Sequence, residues 1–200
     1  MKQYEIGRLL RAGTTGFVVG CRVSQIDAPS FGALVKVKLD GDYQVYGLIH
    51  DIHIDDDGLV RQLVTAEDVA EAVIADNRVN RNVPLELSVL TVGFQLDGKI
   101  SHLLPPRPPL SLDVIYLCSA EEVRQFTDEG RFGYFRHLLR AADLPVGELL
   151  AAHIQQASAA HAEVSDAQWK KRAIQELITL LRDDYGTLMS VLGALGDIKG

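Results

Sequence analysis

The strongest fold signal in this chain is the stretch Leu85-Glu-Leu-Ser-Val-Leu-Thr-Val-Gly-Phe-Gln-Leu96, followed by Asp97-Gly98 and then by Lys99-Ile-Ser-His-Leu-Leu104. Both flanking runs contain β-branched and large apolar residues, which favour strands. An Asp-Gly pair between two such runs is typical of a two-residue turn, because these residues tolerate the positive φ angles that the turn requires. The stretch therefore predicts a β-hairpin.

The same arrangement occurs earlier in the chain. The run 33–39 has valines that alternate with Lys36 and Lys38, then Asp40-Gly41 follows, and residues 43–54 form a second apolar run. Alternation with a period of two indicates a half-buried strand. We therefore expect a second hairpin here.

Further β-rich runs cover residues 16–23 and 112–118. Short strands of this kind are best accommodated by closing the sheet on itself, because closure removes unpaired edges. We expect a mostly closed barrel of roughly five to seven strands within residues 1–118, interrupted by a short helix or ordered loop at 65–77. The proline-rich segment 105–109 is interpreted as a connection between strands, with a PxxP docking ligand as the alternative.

The pattern changes at Ser119-Ala-Glu-Glu122, which is a capping box and predicts the start of a helix. Ser165-Asp-Ala-Gln168 is a second candidate capping box. Between and after them, the spacing predicts helices near residues 120–141, 146–163 and 166–195. The predicted fold class is α+β, with a small N-terminal β-barrel at residues 1–118 followed by a helical region at 119–200.

The last predicted helix carries a heptad stripe, in which apolar residues are spaced alternately by four and three positions. Its members are Ile174, Ile178, Leu181, Tyr185, Leu188, Leu192 and Leu195. The stripe predicts either packing against the rest of the same chain or a surface that binds a partner. The first six residues are the candidate partner-binding residues.

The composition is that of an ordinary globular protein, because 47% of the 200 residues are hydrophobic and 24% are charged. The net charge is −7, and neither half is basic: residues 1–119 hold 11 basic and 15 acidic side chains, and residues 120–200 hold 9 and 12. Direct contact with nucleic acid is therefore not expected. No apolar run reaches the ~18 residues that a membrane span requires, and the N-terminus lacks the apolar core of a signal peptide. These features predict no membrane insertion and a cytoplasmic location.

Sequence motifs of common catalytic sites are absent. The chain has no GxxxxGK[ST], GxGxxG, GxSxG, HExxH or CxxC motif. The sequence therefore predicts a protein without enzymatic activity, catalytic residues or cofactor. Cys21 and Cys118 lie in apolar runs and are expected to be buried free thiols.

One polar cluster is compatible with a metal site. Asp51, His53 and Asp55 would share one face of a strand. Consecutive residues on one strand face point in parallel rather than converge, so a solvated sheet face is favoured and a metal site is the alternative. The other histidines (His102, His137, His153 and His161) are scattered, and surface or capping roles are expected.

The N-terminal half resembles the HAS-barrel family, the small β-barrel at the N-terminus of HerA-type DNA-translocating ATPases and of the catalytic-core subunits of ATP synthases. The resemblance covers roughly residues 3–126. It is carried by the short motifs Ile6-Gly7, Gly16–Gly20, Lys36–Gly41, Val45–Ile49, Val92–Phe94, Pro105–Pro109, Val114–Leu117 and Ala120–Phe126. It implies a docking and assembly role. It does not imply ATP hydrolysis, because this chain continues into helices where the family has its ATPase domain.

Together these features predict a non-enzymatic interaction or assembly module. Its barrel and C-terminal helix would dock onto a protein partner or a second copy of the chain. Two alternatives remain: an accessory factor of a DNA-processing ATPase or nuclease system that contacts nucleic acid, and a metal- or ligand-binding barrel.

Overall fold

The computed structural model of the protein describes residues 4–23, 29–54, 65–66, 69–80 and 83–197. Six antiparallel strands form a closed barrel in the cyclic order β1–β2–β5–β4–β3–β7, and the short strand β6 extends the sheet from β5. The strands are β1 (Tyr4–Ala12), β2 (Gly16–Val23), β3 (Leu34–Lys38), β4 (Gln44–Ile54), β5 (Val83–Leu96), β6 (Lys99–Ser101) and β7 (Val114–Leu117). The predicted barrel is confirmed.

The two predicted hairpins are present. β3 and β4 pair on either side of Asp40-Gly41, and β5 and β6 pair on either side of Asp97-Gly98. Gly41 has φ +70°, and Asp97 and Gly98 have φ +50° and +74°. These turns therefore use positive φ angles, which is the property of Asp-Gly pairs on which the prediction of the two hairpins was based.

Helices occupy the rest of the described chain. They are α1 (Glu71–Asn80), α2 (Ala120–Asp128), a 3₁₀ turn (Glu129–Phe132), α3 (Phe135–Leu139), α4 (Val146–Ala162), α5 (Trp169–Leu180) and α6 (Tyr185–Asp197). The α+β fold class is confirmed. Helix α1 overlaps the segment 65–77 that was predicted to interrupt the strands as a short helix or ordered loop.

Two of the three predicted C-terminal helices are broken in the structure. The first ends at Asp128 instead of continuing to residue 141, because Gly130 and Arg131 adopt non-helical angles. The helix predicted at 166–195 is two helices, α5 and α6, separated by residues 181–184. The break follows from Asp184, whose Oδ1 accepts a hydrogen bond from Thr187 N–H as an N-cap does and so starts a new helix.

The capping boxes have different outcomes. At Ser119 the box is complete: its hydroxyl accepts from Glu122 N–H and the Glu122 carboxylate accepts from Ser119 N–H. At Ser165–Gln168 no box forms, because Ser165 has φ +66° and α5 begins after Gln168 without a side-chain cap. The Asp166 carboxylate binds Arg172 instead.

The barrel and the helices form two hydrophobic clusters on opposite sides of the same strands. Val35, Val37 and Val45 point into the barrel, whereas Leu34 and Leu48 on the same strands pack outward against the helices. Helix α4 is central in the outer cluster and contacts α2, α3, α5 and α6. The helices therefore cover the outer wall that β3, β4 and β5 form.

Lys36 is the main departure from the alternating pattern of β3. The pattern predicts a half-buried strand, but the Lys36 side chain is only 2% exposed because α2 covers it. Its ammonium group contacts the Glu122 carboxylate directly. The lysine is thus a buried ion-pair partner that joins the barrel to the start of α2.

Both cysteines are buried free thiols, as predicted. Burial raises the pKa of Cys21 to about 11 and that of Cys118 above its usual range. Within the described ranges, no helix combines the length and the apolarity that a membrane crossing requires.

Candidate functional site

Three of the histidines for which surface or capping roles were expected are buried, so a surface position is wrong for these three. His102, His153 and His161 are among the few buried polar residues. Two of them, His102 and His161, bond to the last turn of α2, and His153 bonds to the loop before β3. Buried imidazoles require hydrogen-bond partners, and these partners come from elements distant in the sequence.

His153 is fully enclosed on α4. Its Nδ1 lies 3.2 Å from the Gly32 carbonyl and its Nε2 lies 3.0 Å from the Tyr134 hydroxyl. Because a carbonyl oxygen only accepts, Nδ1 carries the proton and Nε2 accepts from Tyr134. Burial lowers the pKa of His153 to about 4, and the bond to Gly32 opposes this shift. His153 is therefore a neutral structural link between α4, α3 and the barrel.

His102 lies under the chain segment that follows α2. Its Nε2 donates to the Phe126 carbonyl at 3.0 Å, and its Nδ1 is buried without a partner. Burial lowers its pKa, so the ring is neutral. A Cβ on Gly130 would lie 2.9 Å from this Nδ1. Glycine is therefore required at position 130, both by the neighbouring ring and by its φ of +56°.

Residues 130–132 form a left-handed turn directly after α2. Gly130, Arg131 and Phe132 have φ values of +56°, +49° and +56°. Left-handed angles are unfavourable for residues other than glycine, so the packing around Phe132 maintains them: its ring stacks on Phe135 and lies edge-on to Trp169. The turn follows Asp128 and Glu129, which line a polar groove beside the end of α2.

That groove has a volume of about 590 Å³ and lies between the β5–β6 hairpin and α2. Most of its lining residues are polar or charged: Gln95, Gly98, Lys99, Ile100, Gln125, Asp128 and Glu129. Asp128 is shared between the groove and the cluster around His161 described next. We call it the α2-end groove.

His161 lies at the end of α4 with two carboxylates near its ring. Its Nε2 is 2.9 Å from Thr127 Oγ1 and 3.9 Å from Asp128 Oδ1, and its Nδ1 is 3.6 Å from Asp166 Oδ2. The ring stacks on Trp169 with centroids 4.7 Å apart. Asp166 also forms a two-bond ion pair with Arg172, at 2.6 and 3.1 Å.

Burial lowers the pKa of His161, while Asp128 and Asp166 oppose that shift. One potential ligand atom from each of Asp128, His161 and Asp166 lies within 4.8 Å of the other two. Among the residues that the structure describes, this is the group with the donors and spacing to hold a metal ion. Sequence spacing did not reveal it, because Asp128 is brought to His161 by the packing of α2 on α4.

The metal alternative proposed from the sequence lies elsewhere, on β4. Asp51 and His53 are exposed on this strand, and Asp55 lies outside the described residues. β4 pairs with β5 through a register shift between Ile49 and Asp51. Within the part of the chain that the structure describes, neither Asp51 nor His53 belongs to a group of three or more residues that could hold a metal ion.

The six candidate partner-binding residues are divided between α5 and α6. Leu181 is buried against the other helices, whereas Ile178 and Tyr185 are 43% and 72% exposed. Ile174, Leu188 and Leu192 are half-buried at the margin of the helical cluster. The residues that pack against the rest of the chain are instead Trp169, Ala173, Leu177, Val191 and Leu195. The heptad stripe thus lies along the edge of the face that packs on the rest of the chain and does not form one continuous packing seam.

Met189 adds a further exposed apolar side chain on α6. We call this methionine and the five candidate residues that are exposed or half-buried the C-terminal apolar face. They are Ile174, Ile178, Tyr185, Leu188, Met189 and Leu192.

No family model matches this chain, and no curated protein matches it in sequence.

Proposed function

We propose that this protein is a non-enzymatic assembly module that associates with a second copy of itself through the C-terminal apolar face. Exposed apolar side chains grouped on one part of a surface are typical of protein interaction sites. Here they occur on α5 and α6, two short helices that pack against the central helix α4. Their exposure, which is greatest at Tyr185, supports a docking surface that the isolated chain leaves open.

The charged residues in and after α5 are the observation that favours a second copy of the chain as the partner. Its first turn holds Lys170 and Lys171 and no acidic residue, and Asp183 and Asp184 follow its end. This is the reverse of the arrangement that the helix macrodipole favours. These four residues are therefore placed unfavourably with respect to the dipole of α5, although Arg172 forms an ion pair with Asp166 before the helix.

An antiparallel pair of α5 helices would give these charges partners. In a twofold symmetric contact, a residue on one copy faces its counterpart at an equal distance from the axis. With the axis level with Leu177, Lys171 of one copy lies opposite Asp183, in the segment after α5, of the other, and the reverse contact repeats on the other side. The Asp183 side chain is 89% exposed and so is accessible for this contact, although within its own chain it forms an exposed ion pair with Arg182 at 3.1 Å.

The barrel also supports an assembly role. Its closed six-stranded form is compatible with the HAS-barrel resemblance of residues 3–126, and that family implies docking and assembly. We propose that the barrel provides the platform on which the helices are fixed. The two buried free thiols are compatible with the cytoplasmic location that the sequence predicts.

Sedimentation equilibrium over a concentration series tests this function. We expect wild-type protein to dimerise and Ile178→Asp to raise the dissociation constant about tenfold or more, because the change places a charge in an apolar contact. Val164→Asp is the matched control, since Val164 is equally apolar and exposed but lies outside the C-terminal apolar face.

A charge exchange tests the antiparallel arrangement. Lys171→Asp and Asp183→Lys should each weaken the dimer, and the double variant should restore it, because each change alone places like charges together. A wild-type chain that stays monomeric at all concentrations, or a double variant weaker than both single variants, would refute the proposal.

A further inference from the structure

We propose that Asp128, His161 and Asp166 bind a divalent transition-metal ion, with Zn²⁺ as the preferred ion, at the margin of the α2-end groove. The site is separate from the C-terminal apolar face and from the residues that the sequence suggested on β4. Four steps support it: the tautomer of His161, the donor distances, the second contact of Asp166 and the access from the groove.

The first step is the protonation of the imidazole. Thr127 Oγ1 lies 2.8 Å from the Val123 carbonyl, and because a carbonyl can only accept, the hydroxyl proton is used there. The same Oγ1 lies 2.9 Å from His161 Nε2 and must therefore accept from it. Nε2 carries the proton, which leaves the lone pair on Nδ1. This is how the outer partner of a metal-binding histidine fixes its tautomer.

The second step concerns the atoms that face the lone pair on His161 Nδ1. The nearest charged atom to Nδ1 is Asp166 Oδ2 at 3.6 Å, which is longer than a hydrogen bond. Among the described residues no donor lies within hydrogen-bond distance of Nδ1. The lone pair of this nitrogen and the Asp166 carboxylate thus face each other across a gap that a cation would fill. Zinc binds imidazole nitrogen and carboxylate oxygen at about 2.0–2.2 Å, and two such bonds with a tetrahedral angle place their donors about 3.5 Å apart.

The third step concerns the third ligand and the competing ion pair. A carboxylate oxygen of Asp128 lies within 4.8 Å of one potential ligand atom on each of the other two residues. The contact of Asp128 with the ring is to the protonated Nε2, at 3.9 Å, so this exposed carboxylate must rotate to reach an ion bound at Nδ1. Asp166 is already bonded to Arg172. A carboxylate oxygen has two lone pairs, so Oδ2 can bind an ion while Arg172 keeps the carboxylate oriented, as outer-sphere partners of metal ligands do.

The fourth step is access. Asp128 is part of the wall of the α2-end groove, which is about 590 Å³ in volume and open to solvent. An ion held by three protein ligands retains a position for water or for a ligand. One nitrogen with two carboxylates suits zinc or a similar transition metal better than the all-oxygen preference of Mg²⁺ or Ca²⁺.

The test uses the full chain without an affinity tag, treated with a chelator and then titrated with Zn²⁺ by calorimetry. We expect one saturable site per chain, and at least a tenfold loss of affinity for Asp128→Asn. Glu129→Gln is the matched control, because Glu129 lines the same groove and carries the same charge but is outside the ligand group. Its affinity should stay within twofold of wild type.

Two further readouts do not depend on replacing the buried histidine. Zn²⁺ should shift the ring resonances of His161 in NMR spectra and leave those of His153 unchanged. Co²⁺ in place of Zn²⁺ should give the visible absorption of a low-coordinate site. The proposal is overturned if no saturable binding occurs, if Asp128→Asn and Glu129→Gln bind alike, or if the His161 ring responds to protons but not to zinc.

Discussion

The ion pair between Lys36 and Glu122 yields the sharpest stability prediction. We consider Glu122→Gln, which retains the size of the side chain and an oxygen that can still cap Ser119 N–H. The substitution removes the negative charge that compensates Lys36, which α2 covers almost completely. Removing one partner of a buried ion pair costs about 3–5 kcal/mol, because the other charge remains buried and uncompensated.

The structure places the expected cost at the lower end of that range. The Glu122 side chain is 24% exposed, so water reaches the pair from its side, and the glutamine oxygen can still accept a hydrogen bond from the ammonium group. We expect a loss of about 3 kcal/mol in the free energy of unfolding. For a chain of this length the melting temperature should fall by roughly 6–12 °C.

The reverse substitution should cost much less. Lys36→Met removes the buried charge itself, and the carboxylate that remains is partly hydrated and still accepts from Ser119 N–H. We expect Lys36→Met to cost about 0–1 kcal/mol, and the double variant Lys36→Met/Glu122→Gln to be close to it, because apolar replacement of a buried ion pair is often neutral.

Urea denaturation of the four proteins measures these terms as a double-mutant cycle. Glu121→Gln is the matched control, since Glu121 is exposed in the same helical turn. The reasoning is refuted if Glu122→Gln lies within 1 kcal/mol of wild type, or if Lys36→Met costs more than Glu122→Gln.

The pH dependence of the same pair provides an independent check. Burial raises the pKa of Glu122, but the bonds from Lys36 and Ser119 lower it more, so the folded-state pKa lies below the ordinary value. The folded state thus holds the proton less readily than the unfolded state. Its contribution to stability is present above the unfolded pKa and is lost as pH falls through the folded pKa. The difference between wild type and Glu122→Gln should therefore shrink in acid.

Three further predictions concern the interior. Tyr134→Phe leaves His153 Nε2 buried without a donor and should cost about 1–3 kcal/mol in urea denaturation. His153 has a pKa of about 4 in the folded protein against an ordinary value of 6.5, so the fold is stabilised while the ring is neutral. This contribution of about 3 kcal/mol to the free energy of unfolding should disappear as pH falls from 6.5 to 4. The NMR ring shifts of His153 should show no protonation above pH 5. Gly93→Ala places a Cβ 2.6 Å from the Ser101 carbonyl and should cost about 1–3 kcal/mol, whereas Gly193→Ala meets nothing within 4 Å and should raise stability by about 0.5–1 kcal/mol, both read from melting curves. An equal effect of the two glycine changes would contradict the packing at Gly93.

Features that depend on neighbouring residues could be predicted from the sequence. Asp97-Gly98 forms the expected turn, and Ser119 forms the expected capping box with Glu122, because in each case the residues that decide the structure are within four positions of one another. The strands follow from local alternation, and the closed barrel was expected because closure removes the unpaired edges of short strands. These predictions do not depend on knowing the tertiary contacts.

Features that depend on tertiary contacts were missed. Lys36 alternates with valines as an exposed residue would, and only the arrival of Glu122 from 86 residues away explains its burial. His161 and Asp128 meet because α2 packs on α4. The heptad stripe gave the spacing of apolar residues but not the break after Leu181, where Asp184 starts a new helix.

The position of β7 determines the order in which the chain can assemble. β7 lies between β1 and β3, so the barrel has an open seam until residues 114–117 are present. The bond from the Arg8 guanidinium to the Leu112 carbonyl joins residues 104 positions apart. Contacts this distant in sequence form slowly. Because α2 begins at residue 120, closing of the seam delivers Glu122 to Lys36, so barrel closure and helix docking become one kinetic event during synthesis.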